Sequence, residues 1–491
     1  MLIDDHIIDI SQDKLDDLRE RLARTRWPDA LDGAGWTYGV PPEAVRELAA
    51  YWMDGYSWRA HEARLNKLPQ YTTEIDGQRV HFAHVRSDRA DAPALLLTHG
   101  WPSSFADFSH LAGPLGRDFH LVIPSIPGFT FSGPTREPGW GVRRVAAAWI
   151  TLMDRLGYDR YGVQGGDFGS LISAAVGRAA PGRVIGVHLN ASVTAFPTDD
   201  GAGLTEAEQE RAAGVREWEK VSGYAVIQGT RPQTLSYALA DSPAGLLAWN
   251  LDAFASWGED AGGLTPDDIL TNVALYWFTG TAGSAGRLYK ESMPDWAPPA
   301  APDPTPTGIA VFPGDTTVRR YAEQVHNVVH WSEFDRGGHY AALQAPRPAG
   351  RRPADVLRLP VLTGGHDAER VTFGVDQHRP PVTARLELRH DRAQRRQLLL
   401  GSLDVGHGEI EMHVLATIRP PRPLVALDPL ERHGHGPTLE RHEVRVTVRP
   451  RPPGRLGVEA RQGDRVGAVE HDGRKIRCHA PQPAAPARRG S

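Results

Sequence analysis

Five short, mostly apolar runs, separated by stretches of helical periodicity, constrain this chain more than any other feature. They are ALLL (94–97), HLVI (120–123), YGVQ (161–164), VIGVHL (184–189) and GIAVF (308–312). A run without a polar face is buried on both sides. Where helical patterns separate such runs, the strands lie mostly parallel and helices cover both faces of the sheet. The alternation stops between about 195 and 300. There LTEAEQERAAGVREWEKVSGYAVIQ and DSPAGLLAWNLDAFASW keep a helical spacing, which predicts an insertion of helices into an α/β core. Strand character returns at Ile309. Ahead of the runs, LDDLRERLARTRWPDALDGAGWTYGV and EAVRELAAYWMDGYSWRAHEARLNKL predict helices, with Pro28 and Gly39 as stops.

Composition divides the chain again. Its 491 residues are a prior for two to three domains. From Arg347 onward there are 25 Arg and 1 Lys against 17 Asp and Glu, with Phe373 the only aromatic residue. That basic tail carries a formal +9 and leaves −14 for residues 1–346, within a total of −5. A segment so poor in large apolar side chains has little with which to offset the entropy of ordering, so disorder or poor packing is expected. VTARLEL and HEVRVTVR alternate like strands within it. The same Arg-Pro-Gly-His bias is what an altered reading frame in GC-rich coding sequence produces. The net charge gives no reason to expect nucleic acid as a partner. The acidic start MLIDDHIIDISQ has no basic or apolar leader character, and no apolar run approaches 20 residues, so no membrane association is expected. The single cysteine, Cys478, rules out an internal disulfide and fits a reducing compartment, the cytoplasm.

Chemistry concentrates at the ends of the apolar runs. In YGVQGGDFGS, Gly165 and Gly169 stand two residues before and after Asp167, ahead of the helix-like FGSLISAAVGRAA. That is the pattern of a tight strand-to-helix turn exposing its apex side chain; as a lone pattern it also fits a surface turn. HGWPSS ends the run ALLL, and its Trp101 amide can pair with that of Phe168 as two donors to an oxyanion; a plain structural turn is the alternative. Asp315 in AVFPGDTT and His339 in FDRGGHYAALQAP follow later strands, giving the chain order nucleophile, acid, histidine of the α/β-hydrolase fold. His99, Pro102 and Trp277 are candidates for a substrate pocket, the tryptophan being equally compatible with core. No metal-ligand pattern is present.

Several motifs together carry a resemblance. RTRWPD, DGYSWRAHEARLN, HGWPSS, PSIPGFTFSG, GGDFGS, GYAVIQGTRPQTLSYALADSPAGLLAW, ILTNVALYWFTGTAGSAGRLYKE and RGGHYAALQAP resemble the epoxide hydrolases of the α/β-hydrolase fold, in the branch of the microsomal and juvenile-hormone enzymes. The resemblance spans residues 1–346. It implies an N-terminal helical segment (1–75) wrapped over the core, a core in two parts (76–195 and 301–346) and a helical cap (196–300), followed by the extension 347–491. It also implies that Asp167 is the nucleophile, that His339 with Asp315 activates water, and that two cap tyrosines, matching Tyr224 and Tyr289, act on the epoxide oxygen. Tyr276 in ALYWFTG competes for that role. The implied substrate is an apolar epoxide, with water and no cofactor; a homodimer is one possible assembly. Two departures stand out. The anchor of the microsomal enzyme is missing, and RPAGRRPADVLRLP puts prolines where the family's last helix packs on the sheet.

A carboxylate suits this chemistry. It displaces the strained carbon–oxygen bond and leaves an ester that water can undo, whereas serine would leave an inert ether. The rival readings are a haloalkane dehalogenase, which also uses aspartate here but often has tryptophan next to it where this chain has Phe168, and a non-catalytic binding protein on the same fold.

Overall fold

The structure is a computed structural model that describes residues 2–344, apart from 198, 200, 259–262, 297–298 and 300, together with short strands between 386 and 479. The chain divides into two units, Met1–Thr363 and Gly364–Ser491.

The first unit is built on nine strands, β1 (Ile3–His6), β2 (Gln70–Ile75), β3 (Gln78–Val85), β4 (Ala94–Thr98), β5 (His120–Pro124), β6 (Tyr161–Asp167), β7 (Val184–Ser192), β8 (Asp303–Val311) and β9 (His326–Glu333). They form one sheet in the order β1-β2-β3-β5-β4-β6-β7-β8-β9. Pairing is antiparallel from β1 to β5 and parallel from β5 to β9. This is the mostly parallel sheet that the apolar runs predict. Every residue of β4 is buried.

Among the described residues fourteen α-helices accompany the sheet: α1 (Gln12–Ala23), α2 (Pro42–Asp54), α3 (Trp58–Leu65), α4 (Ser109–Gly116), α5 (Val142–Arg155), α6 (Phe168–Ala179), α7 (Glu206–Val221), α8 (Gly223–Thr230), α9 (Pro232–Asp241), α10 (Pro243–Gly258), α11 (Pro266–Thr279), α12 (Ala282–Ser292), α13 (Arg319–Val325) and α14 (Ala341–Gln344). In α5, Val142, Val145, Ala146, Trp149, Leu152 and Met153 repeat at three- and four-residue spacing and are all buried, so this helix is held by its apolar stripe. Helices α7 to α12 stand between β7 and β8, where the sequence predicts the insertion. Capping boxes at Thr205/Glu208 and Thr265/Asp268 fix the starts of α7 and α11.

Three expectations change. Residues 1–75 are not all helical: Ile3–His6 and Gln70–Ile75 form the edge of the sheet. The IDDH strand has too few apolar residues to announce itself, and the β2 ladder alone holds it. The N-terminal helices share the buried core with the sheet and also pack on the inserted helices. Lys14 Nζ donates to Phe278 O at 2.9 Å, Tyr51 Oη donates to Asp267 Oδ1 at 2.9 Å, and the hydroxyls of Tyr56 and Thr271 are 3.2 Å apart. Finally, β8 begins at Asp303 rather than Ile309. Pro304 and Pro306 have no N–H to give; pairing with β7 starts only at Thr307, and on the β9 side the register shifts between Asp303 and Pro306.

Among the described residues no helix is long and apolar enough to cross a membrane. In the second unit, antiparallel pairs join Leu386–His390 to Arg396–Leu403 and Ile410–Thr417 to Arg441–Val448. Leu456–Arg461 pairs with Arg396–Leu403, Cys478–His479 with Arg441–Val448, and Val469–His471 with Arg474–Ile476; the rest of the tail, with the proline-broken stretch after Gln344, lies outside the described residues.

Candidate active site

Asp167 closes β6 and its backbone turns directly into α6, with φ of 56°. A residue with a side chain adopts that left-handed conformation at a cost of about 1–3 kcal/mol, which the surrounding packing must hold. The packing here is backbone against backbone. A Cβ on Gly165 would lie 2.1 Å from Gly169 O, and one on Gly169 would lie 2.1 Å from Thr98 O. A Cβ on Gly100 would meet Asp167 Oδ1 at 2.4 Å. The glycine bracket is therefore demanded by contact, as its spacing predicts.

The carboxylate is held asymmetrically. Oδ1 accepts from Trp101 N at 2.9 Å and from Phe168 N at 2.7 Å. Oδ2 faces the His339 ring, 3.5 Å from Nε2, and that nitrogen has no hydrogen-bond partner. One oxygen thus occupies a pair of N–H donors, and the other stands free toward the histidine.

Asp315 is half-buried, and its partial burial pushes its carboxyl above the usual range. Hydrogen bonds from Thr317 and Ala191 and the His339 charge pull the other way. Its oxygens accept from Thr317 N at 2.8 Å, from the Thr317 hydroxyl and from Ala191 N at 3.1 Å.

The inserted helices bring Tyr224 and Tyr289 over this turn. The Tyr224 ring stacks on Trp101 at 5.4 Å, and Tyr289 stands edge-on to Trp101 at 5.7 Å and to Phe168 at 4.6 Å. Burial raises both hydroxyls above the ordinary phenol value, and the Asp167 charge adds to it. A cavity of about 660 Å³ is lined by Asp167, His99, His339 and Tyr340, and also by His61 and Asp267.

The family descriptions "Epoxide hydrolase N terminus" and "alpha/beta hydrolase fold" match residues 3–108 and 93–221. A protein of Stigmatella aurantiaca, named provisionally as an epoxide hydrolase, is 40% identical over 361 residues, covering 69% of this chain and 81% of that one. Epoxide hydrolase 1 of Sus scrofa is 31% identical, covering 69% of this chain and 85% of its own length. The solved epoxide hydrolase of Aspergillus niger is 31% identical with a TM-score of 0.66, covering 73% of this chain and 96% of that structure. The chain belongs to the epoxide hydrolase family.

Within this epoxide hydrolase the structure brings together Asp167, His339, Trp101, Phe168, Tyr224 and Tyr289. It separates three other candidates from the reacting centre. Trp277 lies under the Arg21 guanidinium, 5.8 Å from the ring centre, so it joins α11 to α1 and does not line the cavity. Pro102 is buried and follows Trp101 through a cis peptide bond, and its ring carries no hydrogen-bonding group to offer a substrate. His99 touches the cavity, but both its nitrogens are engaged: Nδ1 with Gly100 O at 2.9 Å, and Nε2 accepting from Ile126 N at 3.1 Å. Burial lowers it to about 4, so it is a neutral brace for the HGWP turn. Tyr276 is likewise committed, its hydroxyl donating to Ser103 O at 2.8 Å.

Sequence reasoning passes over Trp257, whose ring lies 4.7 Å from His339 and 5.4 Å from Tyr224, and Tyr340, 4.9 Å from His339. Adjacency to His339 was an available signal for Tyr340. Trp257 is one of 13 tryptophans and had none.

Proposed function

We propose that this protein hydrolyses an apolar epoxide to a vicinal diol through an ester on Asp167. The observation that carries the reading is the split role of the Asp167 oxygens, one held by two N–H groups and one facing His339 across 3.5 Å.

In the first step Oδ2 attacks an epoxide carbon. The carbon–oxygen bond breaks, its electron pair moves to the ring oxygen, and the Tyr224 hydroxyl supplies the proton while Tyr289 donates a hydrogen bond. Asp167 becomes an ester whose carbonyl oxygen is Oδ1. In the second step His339, oriented by Asp315, takes a proton from water, and the hydroxide adds to Cγ. Charge collects on Oδ1, where the Trp101 and Phe168 amides already point. The Cγ–Oδ2 bond then breaks, the diol leaves with Oδ2 after taking the imidazolium proton, and the proton of the new carboxyl group returns to the Tyr224 phenolate. Atoms balance: one water is consumed, and its oxygen stays in Asp167.

Burial of both tyrosines suits the role, because a hydroxyl kept protonated in a dry pocket is available as a donor. A single turnover in ¹⁸O-water tests the scheme. The label belongs in the Asp167 side chain; label in the diol alone would end this reading. A His339→Gln variant should hold an adduct of substrate mass on Asp167. The lone cysteine of the chain supports a cytoplasmic setting for this activity.

A further inference from the structure

Tyr224 touches four aromatic rings, and one of them reaches its oxygen. Trp101 stacks face to face at 5.4 Å, while Trp257 and Tyr289 stand edge-on at 5.4 and 5.9 Å. Trp218, on α7, instead points its indole nitrogen at Tyr224 Oη, 3.1 Å away. An indole N–H donates and never accepts. The contact therefore occupies a lone pair of the tyrosine oxygen and forces the tyrosine's own hydrogen to point elsewhere. Of the other neighbours, Trp101 and Trp257 present only ring faces and edges.

We propose that Trp218 is a positioning residue for ring opening: its N–H aims the Tyr224 proton at the epoxide oxygen and stabilises the phenolate that forms. The inference rests on Tyr224 acting as the acid. Three influences oppose that acid, burial first, then the Asp167 charge and last the Asp252 charge, and all resist formation of a phenolate; the Trp218 donor is the first of those that act against them. A hydrogen bond to a group gaining charge is stronger than one to a neutral group, so this contact tightens as the proton leaves.

The indole is fixed well enough for the task. Its ring stacks on Phe196 at 6.5 Å with 17° between planes, and Phe196 stacks on Trp296 at 6.1 Å with 9°. Trp296 stands edge-on to Phe168 at 6.1 Å. Phe196 belongs to the connection between β7 and α7. A row of rings thus runs from the residue beside the nucleophile to the donor behind the acid, and it ties Trp218 to the turn that carries Asp167.

The test separates the two chemical steps by rapid-quench single turnover with styrene oxide on the full chain. Trp218→Phe keeps the stacking and removes the N–H. Ester formation should slow about tenfold, the worth of one hydrogen bond to a charged group, while ester hydrolysis stays within about twofold, since Tyr224 does not attack the ester. Replacing Trp218 by benzothienylalanine, in which sulfur takes the place of N–H at constant shape, should give the same split. An isostere as fast as wild type in ester formation, or one that slows both steps equally, overturns the proposal. A wild-type protein that forms no diol, or a Tyr224→Phe variant that forms ester at the wild-type rate, overturns the reading of the site and this inference with it.

Discussion

Asp315 and Tyr276 show how far hydrogen-bond inventory alone separates roles. Asp315 is a half-buried acceptor fed by Thr317 and Ala191, so an amide there would turn a donor toward groups that also donate. Asp315→Asn should slow ester hydrolysis by on the order of 10²-fold or more, as misoriented bases do in comparable triads, and leave ester formation nearly intact. Intact-protein mass spectrometry during turnover should then show substrate accumulating on Asp167; a variant without adduct and with full diol production would refute the assignment. Tyr276, by contrast, spends its hydroxyl on Ser103 O. Tyr276→Phe should change the ester-formation rate by no more than a few fold, whereas Tyr289→Phe should lower it by on the order of 10². The aspartate, histidine and glycine bracket were legible because each must occupy a fixed place in a tight turn. Trp218 and Trp257 were not: their ring contacts, to Phe196 for the first and to Tyr224 and His339 for the second, follow no periodic spacing in the sequence.

The strand-to-helix turn makes a sharper claim at the level of elements. Gly169 touches Thr98 O so closely that a methyl group cannot enter without moving β4 or α6. Gly169→Ala should cost more than about 3 kcal/mol, within the range of overpacked cores, read as a lowered urea midpoint. Gly157 is the control. It has φ of 78° and open space for a Cβ, so Gly157→Ala should cost only about 1 kcal/mol, the conformational share. Equal losses in the two variants would mean that backbone strain, not contact, accounts for both. The same contrast explains which elements were readable. Strands β4 to β7 are buried on both faces and spell out apolar runs. Strand β1 lies at the sheet edge with two exposed acidic residues, Asp4 and Asp5, and has no run to read. The start of β8 was hidden by two prolines whose missing N–H groups face no β7 partner.

Over the whole first unit, the stability of the fold is tied to neutral histidines. His84 on β3, His99 after β4 and His326 at the start of β9 are each held down to about 4, chiefly by burial, and His81 on β3 lies well below its ordinary value for the same reason. A group whose folded value is depressed binds its proton more readily in the unfolded chain. The folded state therefore loses stability as pH falls from about 6.5, where the unfolded histidines begin to charge, toward 4. Asp107 acts in the opposite sense: burial raises it to about 6, so protonating it favours the folded state over part of the same window. Asp315, also raised, adds to that counter-trend. The four histidines bridge separate parts of the sheet, with His81 between Gln70 and Ser125, His84 on Tyr158, His99 on Ile126 and His326 on Thr194. Charging His99 breaks its bond from Ile126 N, and charging any of the four places a cation in a buried site, while the two carboxyls relieve only their own burial. The melting temperature should accordingly fall steadily between pH 6.5 and 4, with the transition remaining cooperative, when followed by circular dichroism. A melting temperature that rises on acidification below pH 6 would show that the two carboxyls dominate. His84→Gln, which stays neutral at any pH, should flatten the slope by about a quarter if the four histidines contribute alike.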